Sequence, residues 1–586
     1  MDETSRWVLA QYPNARVLSR TELSRYKADS PLCGWLVPFE HEGERFDLQV
    51  VIPQDFPWIK PRVFCPEKFQ FKQLPHIEKD GAFCLYPPGT EHDPLNAKGL
   101  IQDAIKEAAR LIVASFDDAF LDDFGTEFDS YWSKTEGGKN VISLLPPGGP
   151  SRTISILRSK GDYYLADDND ALERWLRNRF PGTKSGYEFT TATHVVLKRP
   201  IFPSEYPKSG AAVLLIMREL APDAVGLLAK AAENADDKFT VSFEGHTEDG
   251  PVFFAVEVMP PTKQGMPTGR RPDMLQKGFR PGKVPPHIRL QRQLGGNRVE
   301  HHDVMRADAS WVHGRDTPGV APLFDKRVLM IGVGSLGSEV AQLLAKTGIG
   351  SITLVDPDLL DYSNVGRHAL GVSEVRTFKA KSLAERLTRN FPHMRLVEHF
   401  SEDWLSLFQK RPEVFQDVDL IVSTVGSWLA EGRLNQIARS EANFPPVLYG
   451  WAESFSVAGH AVLIGPDGPC FACGMDNFGR SLRTVCDWDA ETTRKQPHCG
   501  ASFQPYGPIA LSGVAALVAK TATKALLGEV RPGTEAVYWA SQEEILDQGG
   551  RFNAEFLTCF SSVPEFGGSK LFDWRQKDEC SFCGKE

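Results

Sequence analysis

Cysteine is scarce: there are ten among 586 residues, too few for a disulfide-built fold. Charge of one sign is not in large excess, with 66 Lys and Arg against 76 Asp and Glu and a net charge of −10. The overall field therefore disfavours non-specific contact with nucleic acid or anionic lipid, and no direct nucleic-acid role is expected. The opening Met1-Asp2-Glu3-Thr4 has neither the basic start nor the apolar stretch of a secretory signal. Long hydrophobic runs are missing too. The longest nearly uncharged stretch, near Pro508, is broken by Lys520, so no membrane span is expected and the expected compartment is the cytoplasm. There is no internal repeat and no low-complexity tract. What is there is an ordinary globular composition, 41% apolar and 24% charged, on a chain too long for one core at roughly 150 residues per domain.

The chain divides at composition shifts. Residues 1–145 read as a small mixed domain, with strand alternation in Arg45 to Ile52 and an amphipathic helix from Ala97 to Ser115. The breaker cluster Leu144-Leu145-Pro146-Pro147-Gly148-Gly149-Pro150 marks its end. Residues 151–259 form a connecting unit with a helix around Asp170 to Arg179 and strands in Ala211 to Met217 and Val252 to Val258, but no chemical motif. Residues 260–299, rich in Pro and Gly, carry nine Lys or Arg against one acid, which is a basic linker composition. From 300 to 586, apolar strands alternate with helices, the mark of a parallel α/β sheet.

Val328-Leu329-Met330-Ile331 is a short buried-strand run, followed at once by Gly332-Val333-Gly334-Ser335-Leu336-Gly337 and a helix to about Lys346. Gly332, Gly334 and Gly337 let backbone approach a phosphate closely, and the N–H groups of the helix start favour its negative charge. The next strand, Ser351 to Val355, ends at Asp356, where an acid can bond a ribose hydroxyl. This alone fits any nucleotide enzyme. The continuation narrows it: Asp356-Pro357-Asp358, then Ser363-Asn364-Val365-Gly366-Arg367, then Lys379. Acid, amide and two cations beyond the strand ends suit ATP with its Mg2+, whereas a nicotinamide coenzyme has no terminal phosphate for Arg367 and Lys379 to grip.

Gly332 to Lys379 resembles the adenylating domain of the ubiquitin-activating and ThiF/MoeB family, whose members attack ATP with the C-terminal carboxylate of a small protein. By that resemblance Asp356 holds the ribose, while Asn364, Arg367 and Lys379 hold the phosphates; Arg306 is a candidate for the arginine that reaches into a partner subunit's site. The acid that the family places after the fourth strand to bind magnesium is Val425 here, in Ile421-Val422-Ser423-Thr424-Val425-Gly426, leaving Asp358 or Asp356 for the metal, or an impaired reaction.

Seven of the ten cysteines lie from Cys470 onward. Cys470-Phe471-Ala472-Cys473 and Cys580-Ser581-Phe582-Cys583 are two Cys-x-x-Cys knuckles, the ligand set of a structural tetrahedral Zn2+. The activating family carries its acyl-capturing cysteine in the loop before a helix such as Ile509 to Leu527, which makes Cys499 the expected catalytic thiol and Cys486 the runner-up. An unperturbed thiol is only about 3% thiolate at neutral pH, so activation is needed. Cys559, Cys33 and Cys65 read as packing residues.

In the first domain, Asp55-Phe56-Pro57-Trp58-Ile59-Lys60-Pro61-Arg62-Val63-Phe64 is a proline corner entering a strand, followed by Pro75-His76-Ile77 and Gly81-Ala82-Phe83-Cys84-Leu85. This succession resembles the ubiquitin-conjugating fold, which makes Cys84 a second catalytic cysteine. The family's His-Pro-Asn corner is present without its asparagine, the oxyanion donor in amine attack; His76 or backbone N–H groups are the candidate substitutes.

The expected fold class is α/β multidomain: an N-terminal ubiquitin-conjugating-like α+β domain, a connecting α+β domain, and a C-terminal Rossmann-like, ThiF-type adenylating domain with a zinc site. The order of domains resembles the fused activating and conjugating enzymes of bacterial CBASS antiphage systems. That resemblance implies a relay from ATP through Cys499 and Cys84 to an amine on a target protein, a cGAS/DncV-like nucleotidyltransferase as carboxylate donor, and a homodimer. A sulfur-carrier-protein adenylyltransferase and a non-catalytic scaffold are the rival readings.

Overall fold

The computed structural model describes residues 2–583 apart from 88, 134–137, 183–185, 235–237, 260–277, 281–282, 315–318 and 496–501. The chain forms two compact units, Met1–Asn169 with Tyr187–Arg306, and Asp170–Gly186 with Ala307–Glu586.

The first unit opens with an antiparallel sheet in sequence order, Arg16–Val17, Pro31–His41, Glu44–Pro53 and Arg62–Phe64. The two long strands are joined by Glu42-Gly43, both at positive φ, the backbone handedness that a two-residue hairpin needs to match strand twist. Alternate residues Trp35, Leu48, Val50 and Ile52 pack against Ile101, Ala104, Ile105, Ala108 and Ile112 of the helix Ala97–Ala114. That helix starts where the Asn96 side chain accepts the Gly99 N–H at 3.0 Å.

The rest of the unit is a closed seven-stranded barrel, in the order Gly250–Val258, Val299–Arg306, Asn140–Ser143, Tyr163–Ala166, Arg152–Arg158, Thr190–Val196 and Phe239–Thr247. Its limits differ from the expected ones: residues 140–143 lie before the breaker cluster, and residues 299–306 fall where the linker was expected to give way to the activating domain. Barrel closure explains both, because Val299–Arg306 pairs in parallel with Asn140–Ser143, a partnership between distant segments that no local pattern reveals. The strand expected at Ala211 to Met217 is instead part of the helix Gly210–Leu220. Ser209 caps it by accepting the Ala212 N–H, and Val213, Leu214, Ile216, Met217 and Leu220 are buried at helical spacing. The expected linker also contains the helix Pro286–Leu294, whose Leu290 and Leu294 join the same core.

One strand face of the barrel is polar and buried. Glu257 lies 3.1 Å from Arg158 Nε and 2.9 Å from Lys238 Nζ. Burial opposes its charge, but His302, Lys238 and Arg158 outweigh that and hold its carboxyl down at about 2. Glu244 is likewise buried between His194 at 3.3 Å and His246 at 2.9 Å.

The second unit carries an eight-stranded sheet, in the order Leu396–Phe400, Ser351–Val355, Arg327–Ile331, Leu420–Ser423, Val447–Ala452, Ala458–Ile464, Thr534–Trp539 and Gly568–Asp573. The first five strands are parallel and the last three antiparallel. Chain order reverses on either side of Arg327–Ile331, and in such sheets ligands bind beyond the carboxyl ends of the strands at that switch point. The helix Pro508–Leu526 is long and apolar enough to cross a membrane by length and composition. Its Val514, Ala515, Val518 and Ala522, however, sit in the core with Leu448, Ala461 and Ala536 of the sheet.

Candidate functional site

At the switch point the chain leaves Ile331 into Gly332, whose φ of +82° suits glycine alone without strain. A methyl group on Gly337 would run into the Gly332 carbonyl and the Thr424 hydroxyl. At Gly334 the direction a Cβ would take is open, so a phosphate can come close there. The loop is held from both sides through Val333. Its N–H donates to Asp356 Oδ2 at 2.8 Å, and its carbonyl accepts from His368 Nε2 at 2.7 Å. His368 Nδ1 in turn accepts the Leu370 N–H at 3.0 Å, which fixes the tautomer, and burial lowers this imidazole to about 4, so it is neutral. His368 belongs to no sequence motif; its place directly after Arg367 is its only signal.

Asp356 is buried, which raises its carboxyl above the ordinary value, and its other oxygen accepts the Asp358 N–H at 2.9 Å. Asp358 is 64% exposed and lies 2.9 Å from Lys379 Nζ, while the Lys379 side chain is only 10% exposed. Lys379 is also the first residue of the helix Lys379–Asn390, so its ammonium and the helix start add their positive potential at one place. Asn364 caps a short turn, its Oδ1 accepting the Asp361 N–H at 3.1 Å. Arg367 lies over the Tyr506 ring at 5.1 Å, and its buried Nε has no hydrogen-bond partner among the described residues. A buried guanidinium N–H without an acceptor costs free energy.

Val425, 38% exposed, stands at the mouth beside Gly332. Behind it Glu431 accepts the Ser423 hydroxyl at 2.9 Å and lines a cavity of about 380 Å3 with Thr424, Gly426, Trp428 and Trp451. Burial pushes its carboxyl up to about 7 despite those donors. No sequence motif pointed to Glu431.

The four knuckle sulfurs come together. Sγ of Cys470 is 3.8 Å from that of Cys473 and 3.6 Å from that of Cys580, and Cys473 is 3.3 Å from Cys583. Bonds of about 2.3 Å at tetrahedral angles set sulfurs roughly 3.8 Å apart, so the cluster fits zinc.

Cys499 lies outside the described residues. Cys486 is buried in the strand Cys486–Trp488, and burial first, then Glu453 and Asp487, push its thiol far up. That environment does not suit a nucleophile. The approach to the Cys499 segment is anchored by charge. Glu453 accepts the N–H groups of Val485 at 2.6 Å and Cys486 at 3.0 Å, and lies 2.8 Å from His460 Nε2. His460 Nδ1 is 2.8 Å from Glu535, which also pairs with Arg483. Burial opposes the imidazolium, but the two carboxylates raise it to about 9, so it is charged at neutral pH. Cys559 is not the core thiol expected: it is half-buried and lines a cavity with Arg483 and Asp573, because it follows a one-turn helix, Ala554–Leu557, rather than a strand.

In the first unit Cys84 is half-buried at the edge of a cavity of about 400 Å3. Its N–H donates to the His76 carbonyl at 2.7 Å. The His76 ring is committed elsewhere, 3.0 Å from Asp123 and 3.0 Å from Glu127. Burial disfavours its charge, yet the two carboxylates raise it above its ordinary value. His76 is therefore an anchor for the corner and not the oxyanion donor considered from sequence. Cys33 and Cys65 are buried, and burial pushes both thiols up to about 11. Arg306 ends a barrel strand with its guanidinium over Phe253 at 5.1 Å.

A phosphate loop at the switch point of a parallel sheet, with Asp356, Arg367 and Lys379 beyond the strand ends, defines a nucleotide-dependent adenylating domain of the ThiF type. Residues 312–546 match the ThiF family and residues 9–141 match the prokaryotic E2 family B. The chain is thus a fused enzyme with a ubiquitin-conjugating-like and a ubiquitin-activating-like domain. It is 23% identical over 539 residues to the ATP-dependent ubiquitin transferase-like protein Cap2 of Escherichia coli (strain TW11681), covering 85% of this chain and 87% of that one. It is 29% identical over 218 residues to ubiquitin-like modifier-activating enzyme 5 of Drosophila ananassae, 35% of this chain and 52% of that one. Among solved structures it resembles E. coli MccB in a crystal structure with MccA-N7isoASN, at 17% identity and a TM-score of 0.32 over 45% of this chain and 69% of that one.

Proposed function

We propose that the chain joins the C-terminal carboxylate of a donor protein to an amine on a target through two thioesters. In the first step a carboxylate oxygen attacks the α-phosphorus of ATP, the bond to the β-phosphate oxygen breaks, and pyrophosphate leaves. Asp356 orients the ribose, while Asn364, Arg367 and Lys379 hold the phosphates. Of the two acids considered for the magnesium that ATP brings, Asp356 has both oxygens on backbone N–H groups and Asp358 is the exposed one; we assign the metal to Asp358. The Cys499 thiolate then displaces AMP, Cys84 takes the acyl group by transthiolation, and an amine releases it as an amide.

The observation that carries this reading is the glycine loop at the switch point, with Asp356 accepting the Val333 N–H and the nearly buried Lys379 2.9 Å from Asp358, in a chain that also holds Cys84 at the edge of a cavity. By the resemblance of the domain order to the fused enzymes of CBASS systems, the setting proposed is antiphage signalling in the cytoplasm, the donor a cGAS/DncV-like nucleotidyltransferase, and the active form a homodimer joined through the activating domain. The four-cysteine cluster holds a structural Zn2+. ATP–pyrophosphate exchange with purified donor tests the first step. The expected result is exchange that requires the donor's intact C-terminus; exchange indifferent to loss of the donor's last residues contradicts the proposal.

A further inference from the structure

The conjugating-like site lacks the asparagine of its family's corner, and His76 does not replace it. The cavity holding Cys84 is lined by five other titratable groups, Lys60, Arg62, Glu78, Tyr86 and His92. Arg62 is neutralised, lying 2.7 Å from Glu78 and 2.8 Å from Asp80, and that triplet leaves a net negative charge. His92 has its Nε2 2.9 Å from the Pro57 carbonyl. Tyr86 stays a neutral phenol, raised to about 12 by burial and then by Asp103 and Glu107 on the neighbouring helix.

Lys60 is different. Its Nζ donates to the Thr90 carbonyl at 2.7 Å and lies 4.2 Å over the Tyr86 ring, and no carboxylate among the described residues pairs with it. Its two contacts come from the segment that immediately follows Cys84, so the ammonium is seated on the cysteine's own loop. Both partners are uncharged, and a cation on the wall of the cavity that holds a cysteine favours the thiolate. The position is legible only in the structure, since Lys60 sits inside a proline corner far from Cys84 in sequence.

We propose that Lys60 stabilises the Cys84 sulfur as a thiolate, both when it attacks and when it leaves. This rests on the reading of Cys84 as acyl acceptor. In transthiolation the Cys84 sulfur forms a bond to the acyl carbon, and the Cys499 sulfur departs with the electron pair. In the last step the amine nitrogen forms the amide bond and loses its proton to solvent, and the electron pair of the broken carbon–sulfur bond returns to Cys84. A fixed cation lowers the energy of the charged sulfur in each step.

The test is the pH dependence of iodoacetamide alkylation of Cys84 in the full-length protein, read by mass spectrometry on the Cys84 peptide. Lys60→Met should raise the alkylation midpoint by about one pH unit and slow reaction at pH 7 by ~10-fold, and Lys60→Arg should restore most of the rate. Lys60→Gln, which keeps a hydrogen bond to Thr90 but no charge, should behave like Lys60→Met and serves if that variant folds poorly. A folded Lys60→Met or Lys60→Gln protein with the wild-type midpoint overturns the proposal. Alkylation needs neither donor nor ATP, so the result is independent of the relay. If the midpoint moves but Cys84→Ala still conjugates, the relay fails and the role of Lys60 as thiolate stabiliser stands.

Discussion

Lys379→Met should lower ATP–pyrophosphate exchange by at least ~100-fold, which corresponds to about 2.7 kcal/mol of transition-state stabilisation. The side chain is nearly buried, pinned 2.9 Å from Asp358, and rises from the first residue of its helix. As charge builds on the departing phosphates, a preorganised ammonium at a helix start meets it without reorganisation. Removing it also leaves the Asp358 carboxylate without the ammonium that lies 2.9 Å from it, so the loss exceeds that of one hydrogen bond. Lys381, two residues on and exposed beside Glu385, is the control, and Lys381→Met should leave exchange within about two-fold, as an exposed pair contributes little. Equal exchange by Lys379→Met and wild type would remove Lys379 from the site.

Cys580→Ser should abolish metal binding and lower the melting temperature by about 5–10 °C, the scale of losing a few kcal/mol in a unit of this size. Cys470 and Cys473 follow the strand Ala458–Ile464, whereas Cys580 and Cys583 follow the edge strand Gly568–Asp573. A metal held by these four sulfurs would clip residues 580–583 to the sheet, and the Trp574 indole donating to the Cys470 carbonyl at 3.0 Å is a second tie. Structural zinc contributes folding free energy outright. Elemental analysis should find one zinc per wild-type chain and none in the variant, and undiminished zinc or an unchanged melting temperature contradicts a structural four-cysteine site.

The adenylating domain was legible because its chemistry is compressed into local patterns. The strand, Gly332-Val333-Gly334 turn and helix are contiguous, and Asp356, Arg367 and Lys379 follow within one topological unit. The knuckles were legible because Cys-x-x-Cys spacing has few other uses. The barrel was not: its closure pairs residues 303–306 with 140–143, and its buried Glu257 and Glu244 meet Arg158 and His194 from other strands. The helix Gly210–Leu220 was misread because Ala211 to Met217 is apolar throughout, and a run without polar residues carries no period to separate helix from strand. His368, Glu431, His460 and Lys60 escaped notice. His368, His460 and Lys60 act through partners distant in sequence, Glu431 is set apart by burial and not by spacing, and none belongs to a motif.

The central claim is a relay through two thiols, and a non-reducing gel of the protein with ATP, magnesium and donor tests it most directly. With wild type, conjugate forms on target amines. With Cys84→Ala, a thiol-sensitive donor adduct should accumulate and map to Cys499, with conjugate reduced to background; with Cys499→Ala, no adduct should form at either cysteine. Conjugation that persists in Cys84→Ala, or a donor adduct on Cys84 in the Cys499→Ala protein, contradicts the relay.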